Sequence, residues 1–513
     1  MLVKVLILAI FFVVTIYIGF YCRKHAVDVN SFVLGGRSVG PWMSAFAYGA
    51  SYLSAVMFVG YAGQFGWRFG VSATWIGLGT AVVGSLLPWV VLARRTRVMT
   101  QHLNSATMPQ FFGSRYGSKP LKLVASAITF VFLVPYTASL YNGLSRIFAM
   151  AFDVDFWVVI VIMAVLTGIY VIAGGYMATA VNDLVQGTIM FVGVIAVIGA
   201  VLRVNGGLIA SLSELARVSD PAVSDTPGIF ASFLGPDPLN LLGVLLLVSL
   251  GPWGLPQMVQ RFYSIKSEKA IPAGTIISTL FAFFICGGGF FIGGFGRLFA
   301  DTAEYRTDGS VIYDSIVPGM LTWFPDILIG IFIVLILSAS MSTLAALVMT
   351  SASTLTLDFL KGTIIKEMDE KRKIRIIRIL IVVFVIISAA IAIVQYNKNF
   401  VFIAQLMGVS WGALAGSFIA PYLYGLYWKR ATKFAAWFSM AFGTLFNTAV
   451  FLASINVLPK NIFPQLLQSP INAGAFTMLA GLILVPVISL LSPRPDEKLV
   501  TKCFSCYNDN SNT

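Results

Sequence analysis

Gly251-Pro252-Trp253-Gly254-Leu255-Pro256 stands in the middle of an otherwise apolar stretch, residues 239–261. Proline removes a helical hydrogen bond and crowds the preceding turn, and glycine weakens a helix interior. The hexapeptide therefore predicts a broken helix. A second cluster, Tyr48-Gly49-Ala50-Ser51-Tyr52-Leu53-Ser54, sits in the middle of the apolar stretch 40–63. Broken backbone frees N–H and C=O groups, and these must find partners wherever water is absent.

Water is absent around most of this chain. Of 513 residues, 58% are hydrophobic and 11% charged, and mean hydropathy is +0.88. Soluble domains run nearer 45–50% apolar and about 25% charged. This composition excludes a soluble enzyme, a disordered chain and a fibre. The four cysteines, Cys22, Cys286, Cys503 and Cys506, are scattered and exclude a disulfide scaffold. Apolar runs are continuous rather than alternating, which excludes a membrane β-barrel. The fold class is an all-α polytopic membrane protein.

A helix crosses the hydrocarbon core with about 20 apolar residues. Thirteen stretches qualify: 2–21, 40–63, 72–93, 121–150, 156–174, 183–203, 239–261, 272–296, 325–357, 376–396, 400–427, 432–455 and 471–492. The first lacks a small-residue cleavage site after it and reads as a retained helix. Basic residues gather in alternate loops: Arg23, Lys24 and Arg37; Arg94 to Lys119; Lys266 and Lys269; Lys361, Lys366 and Lys371 to Arg375; Lys429 and Arg430. The positive-inside rule then places the N-terminus outside and the C-terminus in the cytoplasm. The net charge of +13 is this asymmetry, and its dispersal over short loops speaks against nucleic acid. The tail after Ser492 is polar and is expected to be mobile, with the Cys503/Cys506 pair as reduced thiols and a metal or redox role as the alternative.

The two interrupted spans are the second and the seventh. Irregular backbone at membrane depth is tolerated where it lines a cavity or is buried in protein. Matching interruptions in two halves point to an inverted-repeat secondary transporter, with spans 2–6 and 7–11 as the repeats. Small residues for helix packing are the plainer reading. The ninth span carries Ser338-Ala339-Ser340-Met341-Ser342-Thr343. Such hydroxyls either bond back to their own helix or supply oxygens to a partly dehydrated alkali cation. Asp183 is the clearest charge inside a span, and Arg146 sits near the end of another. A buried acid costs at least about 2.5–3.5 kcal/mol on insertion scales, which makes Asp183 a functional candidate; a cap at the start of span six is the other reading. Scarcity of titratable groups favours a metal cation over protons.

The sequence resembles the sodium:solute symporter family, in particular its sodium/proline and pantothenate branches. The likeness rests on Ser31 to Pro41, Gly49-Ala50-Ser51, Thr107 to Tyr116, Gly174-Gly175-Tyr176, Asn182 to Gly187, Gly254-Leu255-Pro256 with Arg261, and Met341-Ser342-Thr343. It implies a five-plus-five inverted-repeat core of the leucine-transporter type with an extra N-terminal helix. The segments would be 1–39 extra helix and internal loop, 40–204 first repeat, 205–238 external loop, 239–427 second repeat, 428–492 two further helices and 493–513 cytoplasmic tail. By resemblance, one sodium ion would be held by Ala50, Leu53 and Ala339 carbonyls with Ser342 and Thr343 hydroxyls. Asp183 would lie on the sodium exit route, and Arg37 would act in gating. Tyr52, Ser54, Tyr136, Trp253 and Pro256 would face the substrate. Proline symporters carry an acid where Tyr52 stands, which counts against proline itself. Ala345 and Ala346 replace a serine pair that holds a second sodium in some members, so a single ion is expected.

The expectation is sodium-coupled import of a small organic solute, an amino acid, proline-like compound or vitamin-like carboxylate, by alternating access. A sodium-independent or proton-coupled carrier of the same fold is the alternative. No enzyme, no nucleic-acid partner and no assembly beyond the monomer is expected; the partners are solute and bilayer, in the cell membrane.

Overall fold

The computed structural model describes residues 2–25, 27–204, 206–361, 363–365, 367–398 and 403–507. Lys366, one of the basic-loop residues, and 508–513 of the tail lie outside them. Ten described helices are long and apolar enough to cross a membrane, and a bent pair, Pro238–Gly254 with Pro256–Tyr263, makes eleven.

Helix α1 spans Leu2–Cys22 and packs against α6. The first interrupted span comprises α2, Pro41–Ala50, and α3, Ala62–Phe69, joined through a π-helical turn at Val56–Tyr61. Gly40 precedes α2 in extended conformation and Pro41 opens it, where its missing N–H does no harm. Residues 51–54 are non-helical. Short α4, Met108–Tyr116, is capped by Thr107 and leads to α5, Lys119–Phe152.

Helix α6, Phe156–Val204, has 49 residues, about 74 Å at 1.5 Å per residue and too long for one crossing. The expected loop between spans five and six is absent. Gly175 alone turns the chain, at φ 58 and ψ −151, and a Cβ there would sit 2.9 Å from the Phe32 carbonyl oxygen. Only glycine suits that backbone at that approach.

Helices α7, Pro238–Gly254, and α8, Pro256–Tyr263, meet at a bend of 44°. The break is narrower than the hexapeptide predicts. Pro252 stays inside α7, and only Leu255 leaves the helix, at φ −76 and ψ 122. The residue before a proline is pushed out of the helical region, so Pro256 sets the position. Helix α9, Ile271–Gly294, follows.

Helix α10, Asp326–Thr354, is the axis of the molecule: every residue from Phe332 to Thr354 is buried. A helix apolar on all sides belongs at the centre, and α10 packs on α5 and α6. Helices α11 (Glu370–Lys398), α12 (Ile403–Tyr427), α13 (Lys433–Ser454) and α14 (Pro470–Leu491) complete the bundle. Outward faces are apolar, as at Leu6, Ile10, Ile386 and Ile483, which suits lipid rather than water.

The tail departs from expectation. Helix α15, Glu497–Phe504, is docked, with Cys503, Phe504 and Cys506 buried. Cys503 Sγ lies 3.8 Å from Ser114 O, the Phe504 ring 5.1 Å from the Arg115 guanidinium, and Tyr507 donates to Arg95 O at 3.1 Å. Its apolar residues recur on one helical face, which polarity averaged over the tail conceals. None of the four cysteines is in a disulfide.

Candidate functional site

At the first break Ser51 turns its hydroxyl back onto Ala47 O, and the chain leaves the helix. Helix resumes with Ala55 N–H donating to Ser340 Oγ at 2.9 Å. Met57 N–H donates to Ser54 O at 2.9 Å, so Leu53 O has no helical donor. Thr343 on α10 faces this gap. Its Oγ1 lies 3.1 Å from Ala50 O, from Leu53 O and from Ala339 O. A hydroxyl carries one proton. It satisfies one of the three carbonyls and leaves two pointing at its own oxygen. Four oxygens converging with one proton form an electronegative nest, and carbonyl and hydroxyl oxygens are what hard cations take.

Ser342 stands beside the nest. It donates to Asp183 Oδ1 at 2.5 Å, and Asp183 Oδ2 lies 3.2 Å from Arg261 Nη2. Arg261 Nε donates to Ser51 Oγ at 3.0 Å, and its guanidinium lies 5.1 Å from the Tyr176 ring. Asp183 lies inside α6 rather than at a helix start, so it is no cap, and it forms an ion pair buried within the protein. The sequence offers Arg261 as the last residue of an apolar stretch and as part of the family likeness, with no partner indicated. Because α8 begins at Pro256, Arg261 falls inside the packed bundle. Gln257, Gln260 and Arg261 form a polar run in an apolar stretch, and that was the signal available.

The substrate-facing candidates divide. Tyr52, Ser54, Tyr136 and Pro256 are buried. The Tyr136 ring meets Trp411 edge-on at 5.9 Å, and Trp411 lies so close to Gly251 that a Cβ there would be 2.3 Å from its ring. Trp411 thus joins Tyr136 to the second interrupted helix, and sequence reasoning missed it because no motif in α12 sets this tryptophan apart from its apolar neighbours. Tyr52 packs edge-on to Tyr48 at 5.9 Å. Trp253 is directed elsewhere: half-buried, it donates Nε1 to Val83 O at 2.7 Å on the third span.

Arg37 follows Gly35 and Gly36, all three at positive φ. Its guanidinium donates to Ser105 O at 2.7 Å, Tyr263 O at 3.1 Å and Thr100 O at 3.4 Å. Thr107, two residues beyond Ser105, donates to buried Asp358 Oδ2 at 2.5 Å. The loop after residue 103 is thus tied to the chain before α2 and to the end of the α10 span.

The profile of the sodium:solute symporter family matches residues 32–443. The chain belongs to the sodium:solute symporter family. This symporter is 31% identical over 450 residues to a sodium/proline symporter of Staphylococcus aureus, covering 86% of this chain and 84% of the relative. Among solved structures it resembles a Na+-coupled sialic acid symporter in a substrate-bound outward-open state, at TM-score 0.75 and 17% identity over 96% of this chain and 98% of that one. A manganese transporter of Eremococcus coleocola shares the fold more distantly, at TM-score 0.51 and 12% identity, over 88% and 94%. The symporter is a transporter and not an enzyme: a multi-pass plasma-membrane protein that moves a small solute together with sodium.

Proposed function

We propose that the nest around Thr343 is the coupling-sodium site and that one ion binds there. The carrying observation is the convergence of Ala50 O, Leu53 O and Ala339 O on one hydroxyl, each at 3.1 Å. Ser342 completes the set: its proton goes to Asp183, leaving its oxygen lone pairs for the ion. Asp183 is the acid a departing ion meets on the exit route.

Sodium joins the first broken helix to α10 and orders residues 51–54, where Tyr52 and Ser54 sit. Substrate affinity rises with sodium, and sodium affinity must rise equally with substrate. The solute is an amino acid, proline-like compound or vitamin-like carboxylate. Its carboxylate meets the unpaired N–H groups of a half-helix near Pro256, and its apolar part meets Tyr136. Trp253 acts on the substrate only if its bond to Val83 is released in another state. Likeness to a sodium/proline symporter supports this class, and Tyr52 sets the difference from proline itself. Arg37 serves as the cytoplasmic gate.

The architecture we propose is thirteen crossings with a five-plus-five inverted repeat. The stretch Val56–His102 divides into half of one crossing and all of the next, α6 divides at Gly175, and the bent pair counts as one. The N-terminus lies outside and the C-terminus inside, and the monomer is the working unit.

Uptake into proteoliposomes tests the function. A panel of labelled amino acids, pantothenate and short carboxylates is offered under an inward sodium gradient and under a potassium gradient. Accumulation above equilibrium with sodium alone is expected. Equal accumulation in potassium would contradict sodium coupling.

A further inference from the structure

Between the C-terminal tail and the ends of α13 and α14 lies a cleft of about 980 Å³, the size of a pocket for a sizeable ligand. Arg115, Lys433 and Arg494 line it against a single acid, Asp496. Arg115 is wholly buried, and its Nη1 has no hydrogen-bond partner among the described residues, although Nε and Nη2 are bound to Gly425 O and Trp428 O. A buried guanidinium nitrogen without an acceptor calls for one, and Arg115 is among the residues that line this cleft. Thr432 and Ser492 add hydroxyls, and the rest of the lining is mostly apolar, with Phe434, Ile488, Leu491 and Leu499. Phe434 opens α13 and Leu491 closes α14, both lining the cleft and both well exposed at the ends of membrane-spanning helices.

We propose that this cleft binds an anionic phospholipid from the leaflet on the basic side of the protein. The phosphate accepts from Lys433 and Arg494, with Arg115 behind them; guanidinium and phosphate match in geometry as well as charge. The acyl chains run out along Phe434 and Leu491 into the bilayer. A soluble anion would satisfy the cations and leave the apolar rim bare, so the lipid fits both halves of the cleft. Basic pockets between helices on the cytoplasmic side are a recognised form of headgroup site. The proposal is independent of the sodium and solute assignments, because none of those residues touches the cleft.

The test uses the full chain, purified and delipidated in detergent. Its thermal midpoint is titrated with phosphatidylglycerol, phosphatidylcholine and inorganic phosphate, and bound lipid is counted by native mass spectrometry. Lys433→Gln/Arg494→Gln is compared with Lys371→Gln/Arg375→Gln, which removes the same charge from exposed residues elsewhere on the basic side. Phosphatidylglycerol should raise the midpoint of the wild type and of the second variant, with one lipid retained. In the first variant its apparent affinity should fall roughly thirtyfold, from about 1 kcal/mol per basic residue near the surface. Phosphatidylcholine and inorganic phosphate should leave the midpoint unchanged. No response of the wild type to phosphatidylglycerol, an equal response in both variants, or an equal rise with inorganic phosphate would each overturn the proposal.

Discussion

Arg261 Nη2 and Asp183 Oδ2 stand 3.2 Å apart, with their side chains 3% and 1% exposed. The pair ties α8 to α6. Through Ser51 on one side and Ser342 on the other it touches both elements that bound the oxygen nest. Desolvating two charges is expensive, and removing one partner strands the other.

Asp183→Asn and Arg261→Gln should therefore each destabilise the protein by about 3–5 kcal/mol. The double variant Asp183→Asn/Arg261→Gln should lose markedly less than the sum, because no unpaired charge remains. Thermal unfolding of the four proteins in detergent forms the cycle; strictly additive losses would show that the two residues do not act as a pair.

Thr343→Val keeps the shape and removes the hydroxyl that faces three carbonyls. The sodium concentration for half-maximal uptake should rise at least tenfold, about 1.4 kcal/mol. Ser340→Ala is a poor control, because Ser340 Oγ receives the Ala55 N–H at the break. Ser353→Ala is the better one: its hydroxyl bonds only within α10, to Met349 O and Thr350 O, and sodium dependence should not change.

Helices α3 and α9 approach so closely that a Cβ on Gly66 would lie 1.9 Å from Gly293 O. Backbone cannot yield as a side chain does. Gly66→Ala should cost at least the 1–3 kcal/mol typical of overpacking and sharply reduce the folded fraction. Gly168→Ala meets nothing within 4 Å and should be neutral, or stabilising by up to about 1 kcal/mol. Size-exclusion profiles after a heat step distinguish the two outcomes.

Arg37 spreads its guanidinium over Ser105 O, Tyr263 O and Thr100 O, which a lysine cannot do. Arg37→Lys should slow maximal uptake several-fold while sodium half-saturation stays within about twofold. A matching rise in half-saturation would place Arg37 in ion binding rather than gating.

Much of this was legible in the sequence because the signals are local. Apolar stretches mark where helices run, and Ser51 and Pro256 mark where two of them break. Partners remote in the chain were not legible. Nothing near Asp183 indicates that Arg261 faces it, and nothing in α12 indicates that Trp411 reaches Tyr136. Gly175 shows how one residue at positive φ replaces an expected loop. Trp253 shows the converse: a position can be marked by its motif while its side chain turns toward Val83. The docked tail was concealed by averaging polarity over a short amphipathic helix.

Equilibrium binding of sodium-22 to the purified symporter and to Thr343→Val tests the central claim without any knowledge of the solute. The account predicts one displaceable ion per wild-type chain and a large loss of affinity in the variant, with Ser353→Ala unchanged. Undiminished binding by Thr343→Val, or two ions per wild-type chain, would contradict it.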